Sequence, residues 1–419
     1  MALFPGHYSQ LMVRCCWKAK FALLLRGGVA AETTSSEFID TQSQMKVLIL
    51  DGMAIVNALP KEKNTDFPIK TCHDLAELFI RQLLSKCHGY DEIRLVFDRY
   101  TANSLKWMTR EGRKKGIKSV QYRITDSSVI KDVKLKELLS DVETKKELTI
   151  YLAEKTLAYS KSPSTALKRF MVTFETTTRS IADVPDELIH HDHEEADTLI
   201  LLHAATVDTT ARLDICASDT DILLRLIHRY SDIPSDTHFL GKSAVSSVAG
   251  LYHHLGALRS SAIIGFHAFS GCDNTSKFAG RSKETCFKKF FDADENIMHA
   301  LSQLGESNEL PPPNILDELE RFVCILYDST KTSVKDLRWH LYSRKQAEGE
   351  NLPPTIGALA EHIKRAHYMA LTLKRNLQSI QDLPSPDSYG CQYDDDQGVY
   401  EPIMTLIPPA PSANRSCKM

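Results

Sequence analysis

Short apolar runs alternate with longer amphipathic segments between about residue 45 and residue 302. Runs typical of buried parallel strands, the last of them weaker than the rest, lie at 46–50, 93–97, 170–174, 213–217 and 237–240. Segments of helical length and periodicity lie at 72–87, 194–205 and 220–230. Because strand and helix signals alternate, we predict an α/β fold with a mostly parallel central sheet flanked by helices.

The regions around this alternation predict a four-part organisation. We expect a disordered leader, the α/β domain, a helical extension after a run of three prolines and a flexible tail, at 1–44, 45–310, 311–382 and 383–419. Helices are predicted at 315–327 and 355–381 in the extension. Residues 131–160 inside the α/β domain look helical and strongly charged, as a solvated insertion would.

The first 31 residues contain four basic residues and no acid. This composition fits a mitochondrial transit peptide, an unstructured leader or a mis-set gene start. No apolar stretch reaches the roughly 18 residues needed to span a bilayer, which predicts no membrane partner. The ten cysteines form no Cys-x-x-Cys pair, so we expect a reduced intracellular protein.

Charge is unevenly distributed along the chain. The net charge is -3, but residues 101–180 carry 17 Lys/Arg against 9 Asp/Glu, a local balance of about +8. Such a basic segment beside an acidic pocket suits a polyanion that is held in one place and cut in another.

Carboxylates recur where the predicted strands end or the next helix begins. These acids are Asp51, Asp98, Glu195, Asp197, Asp219, Asp221 and Asp273. Since the carboxyl ends of parallel strands open into one crevice, we expect these side chains to build one acidic pocket. Two carboxylates about 4 Å apart repel by roughly 4 kcal/mol at an effective dielectric of 20, so cations or protons must compensate. Two Mg²⁺ or Mn²⁺ ions would suit oxygen ligands and phosphodiester hydrolysis.

The order of these acids resembles that of the PIN-like superfamily, and within it the flap endonuclease branch of structure-specific nucleases. The matching motifs are Asp51-Gly52, Val96-Phe97-Asp98, Glu195-Ala196-Asp197, Ser218-Asp219-Thr220-Asp221 and Gly271-Cys272-Asp273. The third motif departs from the family's Glu-Ala-Glu at its second acid. The resemblance covers about residues 45–300 and implies that all seven acids bind metal. It also implies a degenerate helix-two-turn-helix at 271–292.

The same resemblance assigns roles to basic residues. In the family a Lys and an Arg seven residues apart follow the second strand, and Lys106 and Arg113 reproduce that spacing. They are therefore expected to act on the scissile phosphate as catalytic residues. Arg110, Lys114, Lys115, Gly280 and Lys283 are expected to contact nucleic acid. The segment 101–180 then resembles the arch that covers single-stranded ends.

Each motif also has a simpler interpretation. Asp51-Gly52 and Asp273-Asn274 fit ordinary turns, and Asp219 fits a helix N-cap. Glu195 and Asp197 fit acids that the helix dipole favours at a helix start. Trp107 and Tyr122 fit packing residues as well as stacking platforms.

Two clusters of the sequence also have a second interpretation. The histidines of 190–193 suggest zinc, although a polar loop explains them better. The basic run 113–118 fits nuclear targeting, a solvated helix face or, as we favour, nucleic-acid contact.

We therefore predict a metal-dependent, structure-selective nuclease with two Mg²⁺ or Mn²⁺ ions, acting on DNA in preference to RNA. We expect it in the nucleus rather than the mitochondrion or cytoplasm. The alternative is a catalytically silent scaffold of the same fold that binds nucleic acid or protein, derived from a mobile element.

Overall fold

The computed structural model describes most of the 419-residue chain. The described residues are 44–60, 68–100, 120–162, 167, 169–241, 244–272, 274–327, 329–346, 349–395 and 399–405. They form two compact units. Unit 1 contains the residues up to Gly256 together with Arg375–Asp382, and unit 2 contains Ala257–Lys374 and the residues from Leu383. The predicted leader lies almost entirely outside the described residues.

Unit 1 is built on a seven-stranded sheet with the order β4-β3-β2-β1-β5-β6-β7. Its strands are β1 Lys46–Asp51, β2 Glu92–Val96, β3 Arg169–Phe174, β4 Thr177–Ser180, β5 Arg212–Cys216, β6 Thr237–Leu240 and β7 Val245–Ser247. The five strands from β3 to β6 in this order are parallel, and antiparallel β4 and β7 close the two edges. The predicted α/β class and mostly parallel sheet are therefore confirmed.

Helices flank this sheet. In the described part of unit 1 they are α1 Gly52–Ala58, α2 Cys72–Cys87, α3 Leu135–Leu138, α4 Val142–Ser160, α5 Asp186–Ile189, α6 Ala196–Ala205 and α7 Asp221–His228. The predicted helix at 72–87 is confirmed to the residue. Thr71 begins it because its hydroxyl accepts from the backbone N–H of Asp74 while the Asp74 carboxylate accepts from that of Thr71, a reciprocal capping box.

The prediction of a solvated insertion is wrong for α4. Its residues Leu148, Tyr151, Leu152 and Ala153 belong to the core beneath the sheet. The strong charge that suggested solvation occupies only the outer face. The segment 101–119 lies outside the described residues, so the arch stays a prediction.

Unit 2 is mainly helical in its described residues. The helix α8 Val248–Phe269 enters it after an interruption at Gly256, where φ is 78°. The further helices are α9 Lys283–Phe291, α10 Glu295–Gln303, α11 Pro313–Leu326, α12 Val334–Ser343 and α13 Ile356–Lys374. The predicted helix at 315–327 is thus confirmed with a slightly earlier start, whereas the one at 355–381 ends at Lys374. Among the described helices, none has the length and apolar character that crossing a bilayer demands.

The core of unit 2 depends on close helix contact and on aromatic packing. A Cβ at Gly265 would lie 1.9 Å from the carbonyl oxygen of Leu301, so only glycine allows α8 to approach α10 this closely. The rings of Phe266 and Phe290 stack at 4.4 Å between centroids. These contacts pack the second part of α8 against the helices that follow it in unit 2.

The predicted flexible tail contains ordered structure. A 3₁₀ helix spans Pro386–Tyr389, and strands β8 Cys391–Asp394 and β9 Val399–Pro402 form an antiparallel hairpin. Tyr393 and Tyr400 pack across this hairpin with ring centroids 5.1 Å apart. The residues from 406 onward lie outside the described part.

Candidate acidic active site

The carboxyl ends of three neighbouring strands carry the first group of predicted acids. Strand β1 lies between β2 and β5, with Asp51 opposite Val96 of β2 and Leu50 opposite Cys216 of β5. Asp98 follows β2 by two residues and Asp219 follows β5 by three. The parallel register therefore brings these strand ends to one edge of the sheet.

This edge is also the topological switch point of the sheet. From β1 the chain continues to β2 and β3 on one side, then returns to the other side of β1 as β5 and β6. In open α/β sheets, ligands bind in the crevice outside the strand ends where the winding direction reverses. The crevice between the ends of β1 and β5 is thus the expected binding site in unit 1.

Asp51 is the most buried of the predicted acids. Its side chain is 8% exposed, and its Oδ1 accepts from the backbone N–H of Ala54 at 3.1 Å, which caps α1. Burial raises the pKa of Asp51 to about 7, and the negative charges of Asp98 and Asp219 add to this rise against the nearby backbone N–H groups. Asp98 and Asp219 are therefore near enough to act electrostatically on Asp51.

Asp98 joins the end of β2 to the start of α6. Its Oδ1 accepts from the backbone N–H of Ala196 at 2.8 Å, and its Oδ2 accepts from the hydroxyl of Tyr100 at 3.2 Å. The backbone N–H of Arg99 donates to the carbonyl of Glu194 at 2.9 Å. These bonds fix the acidic segment 194–197 beside the strand end.

Glu195 and Asp197 lie next to a cation that the sequence did not single out. Nη2 of Arg225 is 4.0 Å from Oε2 of Glu195, and its Nη1 is 3.9 Å from Oδ2 of Asp197. Arg225 lies on α7 and is only 5% exposed, and its Nε and Nη1 have no hydrogen-bond partner in the described residues. A buried guanidinium therefore offsets part of the charge of two predicted metal ligands.

Arg225 had a weak signal in the sequence. It is the single charged residue within the apolar stretch 222–227, which otherwise contains only Ile and Leu. A charge in such a stretch is either at the helix surface or buried with a partner. The pattern alone does not identify the partners.

Asp219 is not the N-cap of α7, which is Thr220, but it forms a local hydrogen bond just before this helix. Its Oδ1 accepts from the backbone N–H of Asp221 at 2.9 Å at the start of α7. This hydrogen bond uses one oxygen, and the charge of the same carboxylate still raises the pKa of Asp51. The local hydrogen bond and the electrostatic effect on Asp51 are therefore compatible at this position.

The described acids do not form a preformed metal site. Across the described residues, no three His, Cys, Asp or Glu side chains are arranged to hold a metal ion. The chemistry of the crevice still suits hard cations, because its donors are carboxylate oxygens and one of them is buried with a raised pKa. The seventh predicted acid, Asp273, lies outside the described residues.

Most of the predicted basic residues also lie outside the described residues. These are Lys106, Arg110, Arg113, Lys114 and Lys115, together with Trp107. Tyr122 is described, and it packs against the core of unit 1. Its position supports packing over base stacking.

Gly280 and Lys283 belong to the loop and helix that follow α8 in unit 2. Gly280 adopts a left-handed conformation with φ of 66°. Nζ of Lys283 donates to the carbonyl of His267 at 2.7 Å and also to that of Gly271. This amine therefore supports the end of α8, and its predicted contact with nucleic acid remains untested.

The segment 191–195 is a loop, as predicted from the histidines at 190–193, but two of these histidines are buried. His193 is buried, its Nδ1 lies 2.9 Å from Oγ1 of Thr198, and its Nε2 lies 2.8 Å from the carbonyl oxygen of Gln378. His191 is also buried, and burial lowers its pKa to about 4. Both side chains are interior groups of unit 1, with His190 outside at the surface.

Comparison with known proteins gives no independent assignment. No protein-family model and no curated protein sequence matches the chain.

Proposed function

We propose that this chain is a metal-dependent, flap endonuclease-like nuclease of the PIN-like type, which hydrolyses phosphodiester bonds in DNA or RNA with a preference for substrate structure. The observation that carries the proposal is the convergence of Asp51, Asp98 and Asp219 from three strand ends on one crevice at the switch point of the sheet. Asp98 and Asp219 are near enough for their negative charge to raise the pKa of Asp51, which supports a site for hard cations.

Two Mg²⁺ or Mn²⁺ ions would be held by acids that, among the described residues, are not arranged as a preformed metal site. Asp51 is fixed by the start of α1, and Asp98 by the backbone of Ala196. Such ions supply an activated water and neutralise charge on the attacking and leaving oxygens. Glu195 directly precedes α6, Asp197 lies in its first turn and Asp221 begins α7, and in this proposal they would adjust the total charge of the site. Lys106 and Arg113, from the resemblance, would stabilise the phosphate as negative charge builds up.

Substitution of Asp219 by Asn tests the proposal with little risk to the fold. The amide oxygen of Asn can still accept from the N–H of Asp221, so this hydrogen bond at the start of α7 is kept while the site loses one negative charge. We expect Asp219→Asn to lower Mg²⁺-dependent cleavage of a labelled branched DNA by at least about 100-fold, with binding still measurable. Cleavage is measured on single-stranded, hairpin and flap substrates of DNA and RNA with each metal.

Asp208 offers a matched control for this substitution. Its Oδ1 accepts from the backbone N–H of Thr210 at 2.8 Å, the same local geometry, but Asp208 lies exposed at the surface. Asp208→Asn should cleave like the unmodified protein. If the unmodified protein cuts no substrate with either metal, or if the two variants behave alike, the nuclease proposal fails.

Arg225 supports the second candidate, a catalytically silent scaffold. A guanidinium beside Glu195 and Asp197 supplies charge that metal ions would otherwise supply. Metal titration separates the candidates. A nuclease binds two divalent ions near neutral pH, and this binding raises its free energy of unfolding. A silent scaffold shows neither the binding nor the stabilisation.

A further inference from the structure

Helix α12 in unit 2 carries large aromatic side chains on its solvent-exposed face. Trp339 is 70% exposed and Tyr342 is 57% exposed, three positions apart on the helix. The opposite face is anchored in the core by Val334 and Leu337, which are fully buried. The helix is therefore well packed, and the exposed rings are not a sign of a frayed end.

The surroundings of the two rings are basic. Between Lys331 and Lys345 there are five Lys/Arg residues and one acid. Lys335 lies four positions before Trp339, which places both on the same helical face. No ion pair engages Lys335, Arg344 or Lys345 within the part of the chain that the structure describes, and all three are exposed. Their charge is thus available to a partner.

The geometry of this face restricts the class of partner. Residues three apart on a helix have Cβ atoms about 5–6 Å apart, so two rings can be covered by neighbouring groups of one extended ligand. Positive charge beside exposed rings matches phosphates beside bases. An apolar protein partner would match the rings but leave several positive charges facing a desolvated surface.

We propose that the face formed by Lys335, Trp339 and Tyr342 binds single-stranded nucleic acid, with bases stacked on the two rings and phosphates on the flanking Lys and Arg residues. The inference rests on the proposed function in taking nucleic acid as the substrate. It adds a binding surface in unit 2 that carries no catalytic residue. The acidic crevice would cut the strand, and this face would hold a single-stranded portion of it.

Binding of a labelled 20-nucleotide oligo(dT) to the full chain in EDTA tests the proposal, because EDTA removes cleavage from the measurement. We expect Trp339→Ala to weaken binding about tenfold and Trp339→Phe to keep most of the affinity, since a phenyl ring still stacks. Lys335→Gln should make the plot of log K against log[salt] less steep, by about 0.7 in the magnitude of its negative slope, because one phosphate contact is lost.

Tyr393 provides the matched control. It is a 47% exposed aromatic residue of the same unit, placed on the β8–β9 hairpin and not on the basic helix. Tyr393→Ala should bind oligo(dT) as the unmodified chain does. Equal affinities of Trp339→Ala, Tyr393→Ala and the unmodified chain would overturn the proposal.

Tryptophan fluorescence gives a direct readout of stacking. The chain has three Trp residues, so replacing Trp17 and Trp107 by Phe leaves Trp339 as the only source of tryptophan fluorescence. Its emission should be quenched by oligo(dT) and by oligo(U) but not by an oligo-glutamate peptide. Quenching by the peptide alone would overturn the proposal in favour of an acidic protein partner.

The two proposals fail in different ways. A chain that binds oligo(dT) through Trp339 but cuts nothing with Mg²⁺ or Mn²⁺ refutes the nuclease and leaves the binding face intact. A chain whose cleavage depends on Asp219 while Trp339→Ala binds and cuts normally refutes the binding face alone.

Discussion

Two groups of buried carboxylates in the unit 1 sheet differ in whether a cation lies beside them. Near the amino ends of the strands, Glu92 is 2% exposed and pairs with Nε of Arg94 at 2.6 Å and Nε of Arg169 at 3.3 Å. At the carboxyl ends, Asp51 is nearly as buried but has no cationic partner in the described residues, and burial raises its pKa to about 7.

The difference separates a structural ion pair from a candidate site. Asp214 follows the Glu92 pattern, because its Oδ2 accepts from the hydroxyl of Tyr90 at 2.7 Å and lies 3.4 Å from Nε of Arg212. A carboxylate that serves only the fold is compensated within the fold. A buried carboxylate with a raised pKa and no cation beside it is instead a candidate functional residue.

The largest effect should come from breaking the compensated group. Arg94 is 3% exposed, and its Nη1 also donates to the carbonyl of His203 and to Oγ1 of Thr206, each at 2.6 Å. Arg94→Ala leaves Glu92 buried without its main partner, so we expect a loss of about 3–5 kcal/mol of unfolding free energy. Urea unfolding followed by circular dichroism measures it.

Arg169 is the control for that loss. Its side chain is 49% exposed, so its pair with Glu92 is screened by water and Arg169→Ala should cost less than about 1 kcal/mol. Similar losses for the two variants would show that Glu92 does not depend on the buried Arg94.

The uncompensated group should make stability fall as pH rises. Asp51 titrates near pH 7 in the folded state and near pH 4 in the unfolded state, so between these values only the folded chain holds the proton. In EDTA the unfolding free energy should therefore decline across this window by up to roughly 4 kcal/mol. Asp51→Asn should remove the decline.

His191 affects the unfolding free energy over an overlapping pH range, but in the opposite direction. Burial lowers its pKa to about 4, so its contribution is lost as pH falls from about 6.5 towards 4. The difference between Asp51→Asn and the unmodified chain cancels this contribution and isolates Asp51. A pH dependence unchanged by Asp51→Asn would place that carboxylate in a compensated setting, like Glu92.

The positions of the strand-end acids were accessible from the sequence. Apolar runs define parallel strands, and a parallel register necessarily aligns their carboxyl ends, so Asp51, Asp98 and Asp219 had to approach one another. The boundary at Gly256 could not be predicted, because the apolar pattern of 248–269 continues past it and Gly256 is one of three glycines in that range.

The packing of α4 could not be predicted either, because some of its buried residues are polar. Thr144 and Thr156 are fully buried, and each places its hydroxyl on a local partner, Asp141 and the carbonyl of Leu152 respectively. A threonine satisfied locally can be buried at little cost, so the helix lacks an obvious apolar stripe. Its many charges then suggest exposure that the inner face does not have.

Arg225 is intermediate between the two groups of carboxylates, and changing it gives the smallest and most selective effect. It lies 3.9–4.0 Å from Glu195 and Asp197, longer than the 2.6 Å pair of Arg94 with Glu92, so it compensates them only in part. Arg225→Met replaces the cation by an apolar side chain of similar length. The site then becomes more negative by one charge. If Glu195 and Asp197 face the ions held by Asp51, affinity for Mn²⁺ should rise on the order of tenfold, or about 1.4 kcal/mol, by isothermal titration calorimetry.

Arg229→Met is the control for this change. It removes a partly exposed partner of Asp232 just after the same helix, and it should leave the affinity for Mn²⁺ unchanged. Equal Mn²⁺ affinity in both variants would mean that Glu195 and Asp197 belong with the compensated carboxylates of the fold and not with the site.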